Sequence, residues 1–173
     1  METKRNLLNH FLAALAYRTQ KALRDAPEDF GSFRVMDGVR TPAELVRHMT
    51  SVLGYARTNF ISGRYWPEPL DSLAAEVERF HEMLGMLAQH LRNGDALLDG
   101  MTEERLLQGP FSDAMTHAGQ LALLRRLAGA PVPPENFIVA EIEADRLGPD
   151  QPEPKSPDKI WPEAPRGWEP KEK

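Results

Sequence analysis

Asp113 and His117 are spaced so that both side chains could bind one cation. A separation of four residues places two side chains on one face of an α-helix, with Cβ atoms roughly 5–6 Å apart. His48 lies in a second segment, within an otherwise apolar helical stripe that includes Leu45 and Met49. Because inward residues of different helices face one another in an antiparallel bundle, His48 is predicted to complete a three-ligand site.

This donor set favours particular metals. Two imidazoles and one carboxylate leave coordination positions open, as a catalytic metal site requires. Nitrogen donors favour Zn, Ni or Fe(II) over Ca and Mg, which prefer oxygen-rich shells. The predicted cofactor is therefore a divalent ion (Zn, Ni or Fe) bound by His48, Asp113 and His117.

A second interpretation of the same residues stays open. Asp113 lies where a carboxylate complements the amino-terminal end of a helix, an effect worth roughly 0.3–1 kcal/mol. His48 and His117 would then be hydrogen-bonded histidines of the core, with no metal between them.

The composition removes several other chemistries. The 173 residues include no cysteine, which excludes disulfides, thiolate ligands and a cysteine nucleophile. The formal net charge of −5 argues against nucleic acid or an anionic membrane surface as a partner. The sequence shows no glycine-rich phosphate loop and no nucleophile elbow. Since no apolar run approaches the roughly 20 residues of a membrane span, a cytoplasmic protein is expected.

Four stretches with apolar residues at helical spacing must position the three side chains. None of them alternates at the period of two that is typical of a strand, so we predict an all-α chain folded as an antiparallel four-helix bundle. The first helix is predicted over residues 3–25. The second begins at Thr41, which can form a capping box with Glu44 and precedes a proline suited to the first helical turn.

The other two helices have their own start and stop signals. Asp71 is predicted to cap the third helix, which ends at Gly94. The fourth helix follows Pro110, with Ser112 as its cap, and ends at Gly129.

The proline content divides the chain into two parts. Ten of the 15 prolines follow Gly129, so a long helix cannot continue there. We predict a helical bundle over residues 1–130 and a proline-rich, largely irregular extension over residues 131–173. Because Trp161 and Trp168 carry large apolar surfaces, the extension is expected to pack on the bundle or on a partner subunit; the alternative is a disordered tail in which the tryptophans are incidental.

Two segments resemble the DinB/YfiT superfamily, TPAELVRHM at 41–49 and DAMTHAGQL at 113–121. Together with the helix order, the resemblance extends from residue 1 to about residue 137. In that family a histidine on the second helix and a histidine pair spaced by four on the last bundle helix bind a divalent metal. The pair is commonly followed by a Gly-Gln step. His48, His117 and Gly119-Gln120 match these places, whereas Asp113 stands where the first histidine of the pair would be.

The departure at Asp113 has a chemical consequence. A carboxylate is a competent ligand, but it is harder than imidazole and should lower the affinity for Ni or Zn. The free ring nitrogen of a metal-bound histidine usually has a hydrogen-bond partner, for which Gln120 or a backbone carbonyl is available.

The resemblance implies a metal-dependent enzyme acting on a small-molecule substrate. The expected reaction is that of a thiol-dependent transferase or isomerase, or of a hydrolase. In the thiol-dependent families a low-molecular-weight thiol cofactor is the nucleophile, which would explain why the chain needs no cysteine. A homodimer is expected, since bundles of this type often pair. The competing interpretation is a non-catalytic helical protein that binds a small ligand or a partner and keeps a vestigial metal site.

The remaining histidines have weaker signals. His10, His81 and His90 are expected to be solvated or casually hydrogen-bonded, because their neighbours are largely polar. If a pocket surrounds the metal, His10, Tyr17 and Tyr55 are the polar or aromatic residues expected to line it, although packing on an apolar helix face is the first expectation for both tyrosines.

Overall fold

A computed structural model describes residues 2–155 of the chain. Its helices are, in order, α1 (Glu2–Leu23), α2 (Pro42–Ile61), α3 (Leu73–Asn93), the short α4 (Glu103–Leu106) and α5 (Ser112–Leu127). A π-helical turn (Leu107–Phe111) joins α4 to α5. Since no strand occurs between residues 2 and 155, the predicted all-α class is confirmed for this part of the chain.

Capping residues set where α2 and α3 begin. The Thr41 hydroxyl accepts the Glu44 backbone N–H at 3.3 Å, and the Glu44 carboxylate accepts the Thr41 N–H at 2.8 Å. This reciprocal pair is the capping box that the sequence predicts. For α3 the predicted cap is wrong by one residue, because Ser72 and not Asp71 accepts the first-turn amide, that of Ala75, at 3.1 Å.

Glycines end α3 and α5 as predicted. Gly94 caps α3 in the left-handed conformation with φ of 72°, and its N–H bonds back to carbonyls of the last turn. Gly129 has φ of 73° and follows the last residues of α5. Both conformations are strained for residues with a side chain, so glycine is the natural choice at each position.

The four long helices pack in a ring around one apolar core. Helix α1 packs against α3 and α5, and α2 packs against the same two helices. Removal of these apolar side chains from water is the main driving force for the fold. Fully buried members of the core include Leu12, Leu15, Met49, Leu53, Phe80, Leu84, Leu87, Phe111 and Leu121. No helix within the described range is long and apolar enough to cross a membrane.

Residues 131–155 lie against the helices through buried polar contacts. The Glu135 carboxylate, which is fully buried, accepts the Tyr17 hydroxyl at 2.5 Å and the Lys21 ammonium at 2.6 Å. Farther along, the Leu147 carbonyl bonds His81 on α3 at 2.6 Å. These contacts fix the segment to α1 and α3. The predicted burial of Trp161 and Trp168 concerns positions outside the described residues.

Candidate metal centre

The structure brings His48, Asp113 and His117 together between α2 and α5. One potential ligand atom from each residue lies within 4.8 Å of the other two. His117 Nε2 is 3.3 Å from Asp113 Oδ1, and the rings of His48 and His117 meet edge to face with centroids 4.8 Å apart. This group could hold a metal ion. Among residues 2–155, no other cluster of three or more potential ligands of this kind is found.

The capping box of α2 fixes the position of His48. It sets the start of the helix at Pro42, so that His48 lies in the second turn beside the buried residues Leu45 and Met49. His48 itself is half-buried, because its ring sits at the edge of the core and faces α5. The apolar face of α2 therefore anchors the imidazole without enclosing it.

The entry into α5 differs from the prediction. Ser112 is the first residue of α5 and not its cap, and its hydroxyl donates to the Leu107 carbonyl at 2.6 Å. The Ser112 N–H also bonds back to carbonyls of the π-helical turn. Gly109 interrupts that turn with φ of −95° and ψ of −105°, values outside the helical range. The helix thus follows directly from the preceding turn.

This connection bears on the second interpretation of Asp113. A carboxylate stabilises a helix start because the first N–H groups lack partners. At α5 the amide next to Asp113 already has backbone acceptors in the π-helical turn. No cap hydrogen bond from a side chain is formed at this end of α5. One N–H group at this end of α5 is thus satisfied by the backbone, and Asp113 remains the acidic residue of the first turn.

Gln120 orients the His117 ring. Its Oε1 lies 2.8 Å from His117 Nδ1. Because an amide oxygen only accepts, Nδ1 carries the proton, and in the neutral ring Nε2 presents its lone pair to Asp113. A metal-bound imidazole usually has a hydrogen-bond partner on its free ring nitrogen. For His117 that partner is Gln120, one of the two candidates that the sequence analysis gives.

Burial lowers the pKa of His48 from its ordinary value. The positive charges of Arg40 and of protonated His117 act in the same direction, whereas Asp113 opposes them. His48 therefore stays neutral over a wider pH range than a solvated histidine does. Neutral imidazole is the form that binds metal ions.

A cleft of about 540 Å³ opens beside the cluster. Its lining includes, from α2, His48, Val52 and Tyr55; from the loop of residues 62–72, Arg64, Tyr65 and Trp66; and from the entry to α5, Pro110 and Asp113. We call residues 62–72 the wall loop. Two of the three candidate ligands thus face a space of the size that small molecules occupy in proteins.

Sequence reasoning missed the wall loop. Tyr65 and Trp66 stand in a segment rich in glycine and proline, which indicated only a connection between helices. Two aromatic residues next to an arginine in such a connection were the available signal. Of the tyrosines named earlier, Tyr55 lines the cleft, whereas Tyr17 is buried against Glu135.

The other histidines lie away from the cluster. His10 is exposed, as expected. His90 bonds Asp95 at 2.6 Å and stacks on Phe60. His81 is hydrogen-bonded, as one of its two expected states, but it is not solvated, because residues 131–155 cover it and leave it buried.

Comparison with known proteins gave no match to a family model, to a curated protein or to a solved structure. The resemblance to the DinB/YfiT superfamily therefore stays a prediction that rests on the two sequence segments.

Proposed function

We propose that this chain is a DinB-like, metal-dependent enzyme that holds one divalent ion with His48, Asp113 and His117 and acts on a small molecule in the adjacent cleft. The observation that carries the proposal is the convergence of three donors from two helices at one side of that cleft. Two of these donors, His117 Nε2 and Asp113 Oδ1, lie 3.3 Å apart, close enough to share one positive charge, either a proton or a metal ion.

The proposed architecture is an antiparallel four-helix bundle. The packing order supports it, since α1 and α2 each contact α3 and α5 and so occupy diagonal positions. In an antiparallel ring, diagonal helices run parallel and need long crossover connections. The connections between diagonal helices, 24–41 and 94–111, are indeed longer than the wall loop, which joins the neighbours α2 and α3.

The donor set fits Zn, Ni or Fe(II). Imidazole nitrogens suit these ions, and three protein ligands leave room for a substrate atom. Asp113 keeps a side chain that is 52% exposed, so the site stays accessible from the cleft. When bound, such an ion supplies Lewis acidity, which polarises a substrate oxygen or lowers the pKa of a thiol or of water.

We propose a thiol-dependent transfer or isomerisation, or a hydrolysis, as the reaction class. The chain has no cysteine of its own, so a thiol nucleophile would come from a low-molecular-weight cofactor. The residues of the chain then bind and orient the reactants. Val52 and Pro110 exclude water from part of the cleft, and Gln120 holds His117 in one tautomer.

Metal titration of the full-length protein tests the proposal. The protein is stripped with EDTA and titrated with Zn, Ni and anaerobic Fe(II), with calorimetry for affinity and elemental analysis for stoichiometry. One ion per chain is expected. His48→Ala and His117→Ala should each weaken binding by more than about 100-fold, because two ligands seldom hold these ions tightly.

His10→Ala is the matched control, since His10 is exposed and outside the cluster. The His10→Ala variant should bind the metal with the affinity and stoichiometry of the unaltered protein. A stripped protein that takes up none of the three ions overturns the proposal and favours the non-catalytic binding protein. The same conclusion follows if the His10 and His48 variants lose metal equally.

A further inference from the structure

The wall loop is held rigidly on both sides of Trp66. On the amino-terminal side the Tyr65 ring packs on the backbone of α2 at Gly54, where a Cβ atom would come within 2.0 Å of the ring. On the carboxyl-terminal side the buried Glu76 of α3 accepts the Leu70 N–H at 2.9 Å. Arg79 adds a bond to the Glu68 carbonyl at 2.8 Å.

Prolines stiffen the same stretch. Pro67 follows Trp66 directly, and Pro69 stands two residues later. Proline fixes its own φ and restricts the residue before it. The fold therefore restricts the backbone at Trp66 from both sides.

Trp66 is nevertheless 81% exposed. A tryptophan on a mobile loop can be exposed by chance, but here the backbone on each side is anchored. Its ring lines the mouth of the cleft together with Tyr55 of α2 and Val52 one turn earlier. A large aromatic surface kept in water at the edge of a cleft is typical of a platform on which a flat ligand stacks.

Arg64 supplies a charge at the same place. It is exposed and lines the cleft two residues before Trp66. Arg64 forms no ion pair and no hydrogen bond with the rest of residues 2–155, whereas other arginines, such as Arg79 and Arg125, do. Among residues 2–155, Arg64 and Asp113 are the two side chains with a full charge that line the cleft. A guanidinium of this kind binds carboxylates well, because its fork of donors matches their two oxygens.

We infer that the cleft binds a small planar anion, an aromatic carboxylate in chemical class, whose ring stacks on Trp66 and whose charge pairs with Arg64. The inference deepens the proposed function and rests on it for the identity of this molecule as the substrate. Val52 and Pro110 cover the apolar body of the ligand, and its far end reaches His48 and Asp113. The binding mode itself depends on the wall loop and not on the metal.

Three probe compounds separate the two contacts. 2-Naphthoate has both the ring and the charge, 2-naphthalenemethanol has the ring alone, and cyclohexanecarboxylate has the charge alone. Each is titrated by calorimetry into the full-length protein, both as purified and after EDTA treatment. Naphthoate should bind roughly tenfold tighter than either of the others in both preparations, a difference of about 1.4 kcal/mol for each contact.

Variants assign each contact to its residue. Trp66→Ala should weaken both naphthyl compounds by roughly tenfold, and it should fold normally because the side chain is exposed. Arg64→Gln should weaken naphthoate by roughly tenfold and leave naphthalenemethanol unchanged, so that the preference for the anion disappears. Arg92→Gln is the control for charge, since Arg92 is exposed and does not line the cleft.

Three results would overturn the inference. The first is equal affinity for naphthoate and cyclohexanecarboxylate, and the second is unchanged naphthoate binding in both the Trp66 and Arg64 variants. The third is binding that EDTA abolishes and Arg64→Gln leaves intact, because the carboxylate would then bind the metal. Failure of the proposed function looks different: no metal is taken up, yet the EDTA-treated protein still distinguishes the three probes.

Discussion

The Tyr65 ring occupies the space in which a side chain at residue 54 would begin. An ideal Cβ on Gly54 would lie 2.0 Å from Tyr65 Cδ1 and 2.5 Å from Cγ. Such distances are far below van der Waals contact. The glycine in the fourth turn of α2 is thus what lets the wall loop lie against the helix and form one side of the cleft.

Gly54→Ala should therefore destabilise the protein, although alanine is the better helix former by about 1 kcal/mol. The clash involves Cγ and Cδ1, the ring atoms near the Tyr65 backbone. The wall loop must therefore move, at a cost of about 1–3 kcal/mol. Urea unfolding measures the net change. Gly85→Ala is the matched control, since nothing lies within 4 Å of a Cβ there, and it should stabilise α3 by about 0.5–1 kcal/mol. Equal gains in both variants would show that Tyr65 is not seated on Gly54.

Gln120→Ala should lower metal affinity without disturbing the fold. The exposed Gln120 fixes the tautomer of His117 through the bond of 2.8 Å to Nδ1. Loss of such a partner typically costs 10- to 100-fold in metal affinity. Gln120→Glu keeps the acceptor and should retain the affinity, and the exposed Gln89 of α3 provides a control for the substitution by alanine. Zinc calorimetry of all three variants would contradict the orienting role if Gln120→Ala binds like Gln89→Ala.

Glu135→Gln should be strongly destabilising. The fully buried carboxylate pairs with Lys21, whose side chain is only 10% exposed. Neutralising one partner leaves the other charge in an apolar site, which costs about 3 kcal/mol. Burial and Glu135 both raise the pKa of Tyr17, so its hydroxyl stays protonated and continues to donate.

The control for that measurement lies in the same segment. Glu143 forms an exposed ion pair with Arg146, so Glu143→Gln should change the free energy of unfolding by less than about 1 kcal/mol. Thermal or urea unfolding measures the free energy of unfolding of the Glu135→Gln and Glu143→Gln variants. A small effect at both positions would mean that residues 131–155 contribute little to the stability of the helices.

His81 should make the protein less stable in acid. Burial lowers the pKa of this imidazole, and the hydrogen bond to the Leu147 carbonyl only partly opposes that effect. As the pH falls below about 6.5, His81 becomes protonated in the unfolded chain but stays neutral in the folded protein. Stability is therefore complete above that pH and declines as the pH falls through the lowered folded-state pKa.

His81→Gln should remove this share of the pH dependence, because glutamine can still donate a hydrogen bond to the Leu147 carbonyl. Urea unfolding between pH 8 and pH 5 measures the slope. The His48 pKa is also lowered by burial, so a smaller slope of the same sign remains. The control for the substitution itself is His10→Gln, at an exposed histidine outside residues 131–155 and α3. An unchanged slope in the His81 variant would show that the ring titrates as it does in water.

Local signals in the sequence predicted the helices well. The pattern of Thr41, Pro42 and Glu44 specifies its own hydrogen bonds, so the start of α2 is the same in the sequence and in the structure. Asp71 and Ser72 are both good caps, and only the backbone geometry selects the second. Ser112 has the residue type of a cap, but Thr102 already starts a helix ahead of it.

Contacts between distant segments could not be read from the chain. His81 stands among polar residues of α3, and nothing local indicates that Leu147 will cover it. The wall loop is a similar case, since its role depends on Gly54 and Glu76 in two different helices. The cluster of His48, Asp113 and His117 could be predicted from the sequence, because helical spacing links two of its members and the apolar stripe of α2 indicates the third.

The kink at Gly109 has a consequence for the donors of α5. Because φ of −95° and ψ of −105° lie outside the helical range, the chain changes direction there and α5 begins its own helical register at Ser112. Each residue of a helix turns the next side chain by about 100°, so the residue at which α5 begins decides whether the carboxylate and the imidazole one turn later face α2. The irregular backbone between α4 and α5 is thus as much a part of the donor geometry as the donors themselves.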